Sequence, residues 1–243
     1  MKPSNIMDVD WQLIKEKYKN NLSEAIEKLN NHYPVQYLIG YVDFYNTRIN
    51  VDERALIPRY ETEELVSKVI DRIKKMNNPK IIDLGCGSGC ISIAIKKNTN
   101  SLVDAVDISS KAIDLAKENA LLNKVDINFI NKSMEDISLE GYDIVISNPP
   151  YVDYDEEVGV ETKYEPSNAL YASEKGTYFY RIIMNNISKC NNKPSLIAFE
   201  IGYEQKELLT NLAKDLLNDY DIEIIKDLSG KNRFMFLTKK IGH

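Results

Sequence analysis

Lys80-Ile81-Ile82-Asp83-Leu84-Gly85-Cys86-Gly87-Ser88-Gly89-Cys90-Ile91-Ser92-Ile93-Ala94-Ile95-Lys96-Lys97 opens on a short apolar run, crosses three glycines in five residues and leaves on a helical pattern. A buried strand that turns through glycine into a helix is the entry to an open α/β sheet, where ligands meet the carboxyl ends of the strands. Downstream the same alternation continues. Strands are predicted over 102–106, 127–130, 142–147 and 196–201, and helices over 110–122, 177–189 and 204–217. The sheet is therefore expected to be mostly parallel and covered on both faces. The last two strands, 222–226 and 234–238, are joined by only Asp227 to Arg233. That link is too short for a crossover, so the two should be antiparallel.

Upstream, Trp11, Ile14, Tyr18, Leu22, Ile26 and Leu29 recur every three or four residues, a helical pattern over 8–31 that Ser23 would divide by capping a second helix. Residues 37–44 and 48–51 suggest two strands around a Tyr45-Asn46 turn. Pro58 precedes a helix expected over 61–75, with Glu61, Glu63 and Glu64 near its positive end. The expected organisation is a helical segment at 1–33, a hairpin linker at 34–57 and an α/β domain at 58–243.

The chain has 243 residues, 43% apolar and 28% charged, with a net charge of −6 and a pI near 5.2. Such a chain buries a sizeable core. The acidic balance argues against duplex nucleic acid as a stable partner. Lys15, Lys17 and Lys19 alternate with Glu16 and read as a solvated helix face. The stretch Met1-Lys2-Pro3-Ser4-Asn5-Ile6 lacks a secretory signal and no run suits a membrane span, so a cytoplasmic location is expected. Cys86, Cys90 and Cys190 read as reduced thiols, with no second ligand pair for a metal. With His32 and His243 as the only histidines, a His-based zinc site or a Ser-His-Asp triad is close to excluded.

The glycine spacing also decides against a nicotinamide dinucleotide. Counting G-x-G-x-x-G from Gly85 ends on Cys90, and from Gly87 on Ser92. Asp83 would repel a pyrophosphate but suits a cationic, amine-bearing ligand. S-adenosylmethionine fits, with Gly85, Cys86, Gly87 and Gly89 giving close backbone approach and Asp107 placed to accept ribose hydroxyl hydrogens.

Asn148-Pro149-Pro150-Tyr151 follows the apolar run 142–147. Two prolines must end that strand, leaving an amide at its carboxyl end and an aromatic ring three residues on. An amide oxygen can hold an –NH2 group, and a ring can stack on a flat one. A proline-stiffened loop is the plainer reading of the tetrapeptide alone.

Together these residues resemble an amino-methylating class I methyltransferase with a Rossmann-like sheet. Pro34-Val35-Gln36-Tyr37-Leu38-Ile39-Gly40, Leu56-Ile57-Pro58-Arg59-Tyr60-Glu61-Thr62-Glu63, Glu165-Pro166-Ser167-Asn168-Ala169-Leu170, Tyr180-Arg181, Glu200-Ile201-Gly202 and Asp227-Leu228-Ser229-Gly230 with Arg233 extend the likeness to the HemK/PrmC family. Its members are protein-glutamine N5-methyltransferases of class 1 peptide chain release factors. The 33 residues ahead of the linker are fewer than the helical amino-terminal domain usual there.

The resemblance implies methyl transfer to the glutamine amide nitrogen of a Gly-Gly-Gln motif. Asn148 and Pro149 would accept the amide hydrogens, and Tyr151 would pack on the amide plane. Pro150, Arg59 and Glu61 would line the substrate side, although the last two could merely start a helix. Ile108 and Asn148 would also meet the cofactor. The alternative is a DNA or RNA adenine N6-methyltransferase sharing N-P-P-Y. A cofactor-binding partner of translation without catalysis is a third reading, disfavoured by intact Asn148 and Tyr151.

Overall fold

A computed structural model describes residues 6–240; Met1 to Asn5 of the amino-terminal stretch, and His243, lie outside the described residues. In chain order come α1 (Asp8–Lys17), α2 (Leu22–Asn30), α3 (Val35–Ile39), β1 (Tyr41–Phe44), β2 (Thr47–Asn50), α4 (Tyr60–Ile73), β3 (Lys80–Leu84), α5 (Cys90–Asn98), β4 (Leu102–Asp107) and α6 (Ser110–Asn123). Then follow β5 (Asn128–Asn131), β6 (Ile144–Ser147), α7 (Tyr178–Ser188), β7 (Leu196–Glu200), α8 (Lys206–Leu216), β8 (Tyr220–Lys226) and β9 (Asn232–Lys239).

Seven strands form one sheet in the order β5-β4-β3-β6-β7-β9-β8. β3 pairs in parallel with both β4 and β6, while β9 runs antiparallel to both β7 and β8. β8 therefore points the same way as the parallel strands, and β9 alone is reversed. The order reverses direction at β3, between β4 and β6, which opens the ligand crevice at their carboxyl ends.

Successive strand residues feed opposite cores. Ile81, Ile144, Ile146 and Ala198 pack under α4, α5 and α6, and Ile82, Val145, Ile197 and Phe199 pack under α7 and α8. Every residue of β6 and β7 is buried, as a parallel strand covered on both faces requires.

The amino-terminal region departs from expectation in two places. Tyr37-Leu38-Ile39 lie in a short helix, α3, instead of a strand. Tyr37 and Leu38 are adjacent and both buried, a demand that a helical turn meets and a one-sided hairpin strand does not. Gly40, at φ 93°, ends the helix in the left-handed region and donates its amide to the Gln36 carbonyl at 2.7 Å. The hairpin then closes as expected at Tyr45-Asn46, both at positive φ. Ser23 caps nothing: α2 starts one residue earlier, after Asn21, whose side-chain amide donates to the Glu24 carboxylate. No helix among the described residues is long and apolar enough to cross a membrane.

Candidate active site

The carboxyl ends of β3, β4 and β6 open on a cavity of about 240 Å³. Gly85 and Gly87 form its floor with Asp107 and Ile108, and Asn148 and Pro150 stand on one side. Gly85 takes φ 75°, and a Cβ there would come within 3.2 Å of the Met134 methyl, which also lines the cavity. A side chain at this position would strain the turn and narrow the cavity. Gly89 plays a different part. Its Cβ would meet Ala116 and Ile93 at 3.1 Å, so its absence lets α5 and α6 close on each other.

Asp83 lies beneath the glycine turn, 1% exposed. Its Oδ2 accepts from the Ser92 amide at 3.2 Å, and its Oδ1 has no partner. Burial pushes its carboxyl up to about 7, the nearby Asp107 adding to the shift. An unpartnered buried carboxylate oxygen is costly, and an ammonium group would satisfy it. That fits the α-amino group of an S-adenosylmethionine-type ligand, as the crevice floor fits its close approach.

Asp107 braces two turns at once. Oδ2 accepts from Gly87 N at 2.8 Å and Oδ1 from Ser109 N at 2.9 Å. Burial raises its pKa. Ser109 in turn caps α6, its hydroxyl accepting from Ala112 N at 3.2 Å. Neither aspartate is the surface residue that an ordinary glycine turn would carry.

Of the residues expected at the site, Gly85, Gly87, Asp107, Ile108, Asn148 and Pro150 line the cavity together. Cys86 is buried in the core with its thiol pushed well up by burial, so only its backbone faces the turn. Pro149 and Tyr151 are set back from the wall. Tyr151 donates its hydroxyl to Glu200 Oε1 at 3.3 Å, and its carbonyl accepts from Gln205 Nε2 at 3.0 Å.

Arg59 is paired with the buried Glu165, whose other oxygen accepts from Ile57 N at 3.0 Å. This contact ties the linker to the segment after Tyr151. Glu61 is half-buried on the first turn of α4, near Glu200 and Tyr151.

Sequence reasoning missed Ala55, Ser133, Met134, Glu135 and Phe179, which also line the cavity. Ser133 to Glu135 follow the carboxyl end of β5, and the strand-end rule would have found them.

Asn148 Nδ2 donates to Thr62 Oγ1 at 3.1 Å, and Thr62 Oγ1 donates to Glu200 Oε2 at 2.7 Å. Glu200 is 1% exposed, and burial pushes its carboxyl up to about 7 against the pull of Thr62 and Arg233. A carbonyl acceptor beside a cavity that can hold a cationic donor suits transfer to an –NH2 nitrogen.

Residues 62–166 match the model of the methyltransferase small domain family. The chain is 39% identical over 236 residues to a release factor glutamine methyltransferase of Streptococcus pneumoniae, covering 95% of this chain and 84% of the relative. It is 36% identical over 236 residues to a protein of the same name in Lactococcus lactis, covering 93% and 87%. The fold is also that of a Pyrococcus abyssi tRNA (uracil-54, C5)-methyltransferase solved in complex with S-adenosyl-L-homocysteine. That pair shares 19% identity with a TM-score of 0.54, over 83% of this chain and 44% of the other.

Proposed function

The chain belongs to the release factor glutamine methyltransferase family, and we propose that Asn148 organises the transfer of a methyl group from S-adenosylmethionine to the side-chain nitrogen of the glutamine in a release factor's Gly-Gly-Gln motif. When bound, the cofactor supplies an electrophilic methyl group on sulfonium. Asp83 would pair with its ammonium group, Asp107 would meet its ribose hydroxyls, and Gly85 and Gly87 would allow its close approach.

An amide nitrogen is a poor nucleophile because its lone pair is delocalised into the carbonyl. Asn148 Oδ1 and the Pro149 carbonyl each accept one hydrogen of the glutamine –NH2, turning its nitrogen toward the methyl carbon. These bonds strengthen as positive charge grows on nitrogen, so they stabilise the transition state more than the ground state. Alignment supplies much of the remaining rate. Transfer would form the nitrogen–carbon bond as the methyl's bond to sulfur breaks, the electron pair of that bond staying with the leaving thioether. The surplus proton then leaves the alkylated nitrogen to water, with no side-chain base required beforehand. Tyr151 packs behind the amide, and Pro150 closes the wall beside it. Arg59 and Glu61 stand at the substrate side.

The observation that carries this reading is Asn148 at the end of β6, lining one cavity with Gly85, Gly87 and Asp107. Its test is incubation with labelled S-adenosylmethionine and either purified release factor or an adenine-containing duplex. Label on the release factor and none on the duplex is expected. Label on the duplex alone would overturn the substrate and favour the adenine alternative.

A further inference from the structure

Two segments of the chain play no part in lining the cavity, yet the fold brings them together behind it. Thr62 lies on the first turn of α4, and Glu200 ends β7, 138 positions later. Both side chains are buried. Between them and the cavity stands the Asn148 amide.

With Glu200 in its ionised form, the hydrogen bonding here has one self-consistent direction. An ionised carboxylate only accepts, and a threonine hydroxyl has a single hydrogen to donate. Thr62 Oγ1 lies 2.7 Å from Glu200 Oε2, so that hydrogen is committed to Glu200. Toward Asn148 the hydroxyl then offers lone pairs alone. Only the –NH2 end of the amide can meet them, and Nδ2 lies 3.1 Å away. The carbonyl oxygen is thereby turned the other way, toward the cavity. The second Glu200 oxygen accepts from the Tyr151 hydroxyl at 3.3 Å, so one carboxylate orients both ends of the Asn148-Pro149-Pro150-Tyr151 turn.

We propose that Thr62 and Glu200 are positioning residues for methyl transfer: they select the orientation of the Asn148 amide that presents oxygen, and not nitrogen, to the substrate –NH2. Without the relay the amide is free to flip, and a flipped amide sets –NH2 against –NH2, donor against donor. Arg233, which donates to the Ile201 carbonyl and to Asp227, favours the charged form of Glu200 from β9. Glu61 opposes it from α4. Tyr180 on α7 donates to the Glu200 backbone carbonyl at 2.6 Å and fixes the end of β7. The inference rests on the reading of Asn148 as the acceptor of substrate hydrogens.

Thr62→Val removes the hydroxyl at nearly constant volume, and Thr62→Ser keeps it. The expected result is a kcat roughly 100-fold lower in Thr62→Val, an unchanged cofactor Kd, and recovery of most of the rate in Thr62→Ser. A wild-type kcat in Thr62→Val would overturn the inference, as would an equal loss in both variants. If Asn148→Ala is inactive while Thr62→Val is not, only the relay is wrong; an active Asn148→Ala removes the reading beneath it. The unmodified protein gives a check independent of variant folding. With its asparagines labelled in 15N, an Asn148 side-chain amide proton should show a nuclear Overhauser contact to the Thr62 methyl group. Absence of that contact from an assigned amide would contradict the relay.

Discussion

Asn119, buried on α6, exchanges a pair of hydrogen bonds with the backbone of Asn50: Oδ1 accepts from Asn50 N at 2.7 Å, and Nδ2 donates to Asn50 O at 3.0 Å. The same Nδ2 donates to the Ser88 carbonyl at 3.0 Å, inside the glycine turn. One amide thus pairs with the hairpin as a neighbouring strand would and anchors the glycine turn to it. One turn on, Asn123 repeats the grip, accepting from Arg48 N at 3.3 Å and donating to Arg48 O at 2.7 Å.

Asn119→Ala leaves one amide and two carbonyls without their partner. Water can reach the half-buried Asn50, so the expected loss is about 2–4 kcal/mol and not the full sum of three bonds. Urea unfolding should show it, together with weaker cofactor binding because the turn at Ser88 loosens. Unchanged stability would mean the hairpin is held by its apolar contacts alone.

Asp83 predicts the pH dependence of cofactor binding. Its folded pKa, about 7, lies above the usual carboxylate range. The stability this implies for the free protein is fully present below about pH 4 and is lost as pH rises through 7. An ammonium ligand needs the ionised form, so affinity should rise with pH to about 7 and then level. Below that it should fall by about tenfold per unit. Calorimetry from pH 5.5 to 8.5, in two buffers of different ionisation enthalpy, should also detect proton release on binding near pH 6. A flat profile would show that Asp83 does not face the cation. Asp83→Asn should bind weakly at every pH and lose the slope.

The Arg59–Glu165 pair predicts an asymmetry. Glu165 is 1% exposed at its side chain and Arg59 35%. Glu165→Gln leaves a guanidinium that water can reach and keeps an acceptor for Ile57 N, so about 1 kcal/mol is expected after solvent screening. Arg59→Ala strands a buried carboxylate and should cost more, about 3 kcal/mol. Thermal melts of the two variants decide it. Equal effects, with turnover lost only in Arg59→Ala, would leave Arg59 its place at the substrate side and take away its structural role.

The sheet was legible because β3, β4, β6 and β7 are short apolar runs bounded by glycine, aspartate or proline. The reversal of β9 followed from the short link at Asp227 to Arg233. Glycine spacing with Asp83 and Asp107 pointed to the cavity at the ends of β3, β4 and β6 for the same reason: these residues sit at strand ends, where chain order and space coincide. Tyr37 to Ile39 misled because three apolar residues suit a strand or one helical turn equally, and Gly40 decides between them by its backbone angle. Thr62 and Glu200 stood in recognisable segments, but their contact joins positions 138 apart. Met134 carried no motif at all and reaches the cavity through the loop after β5.

Single-turnover methyl transfer by Asn148→Ala, with cofactor saturating and release factor in excess, isolates the part Asn148 plays in the chemical step. That step should slow by about two to three orders of magnitude, with the cofactor Kd within about twofold of wild type. A rate near wild type would contradict that role, because the substrate amide would then be oriented by something other than Asn148.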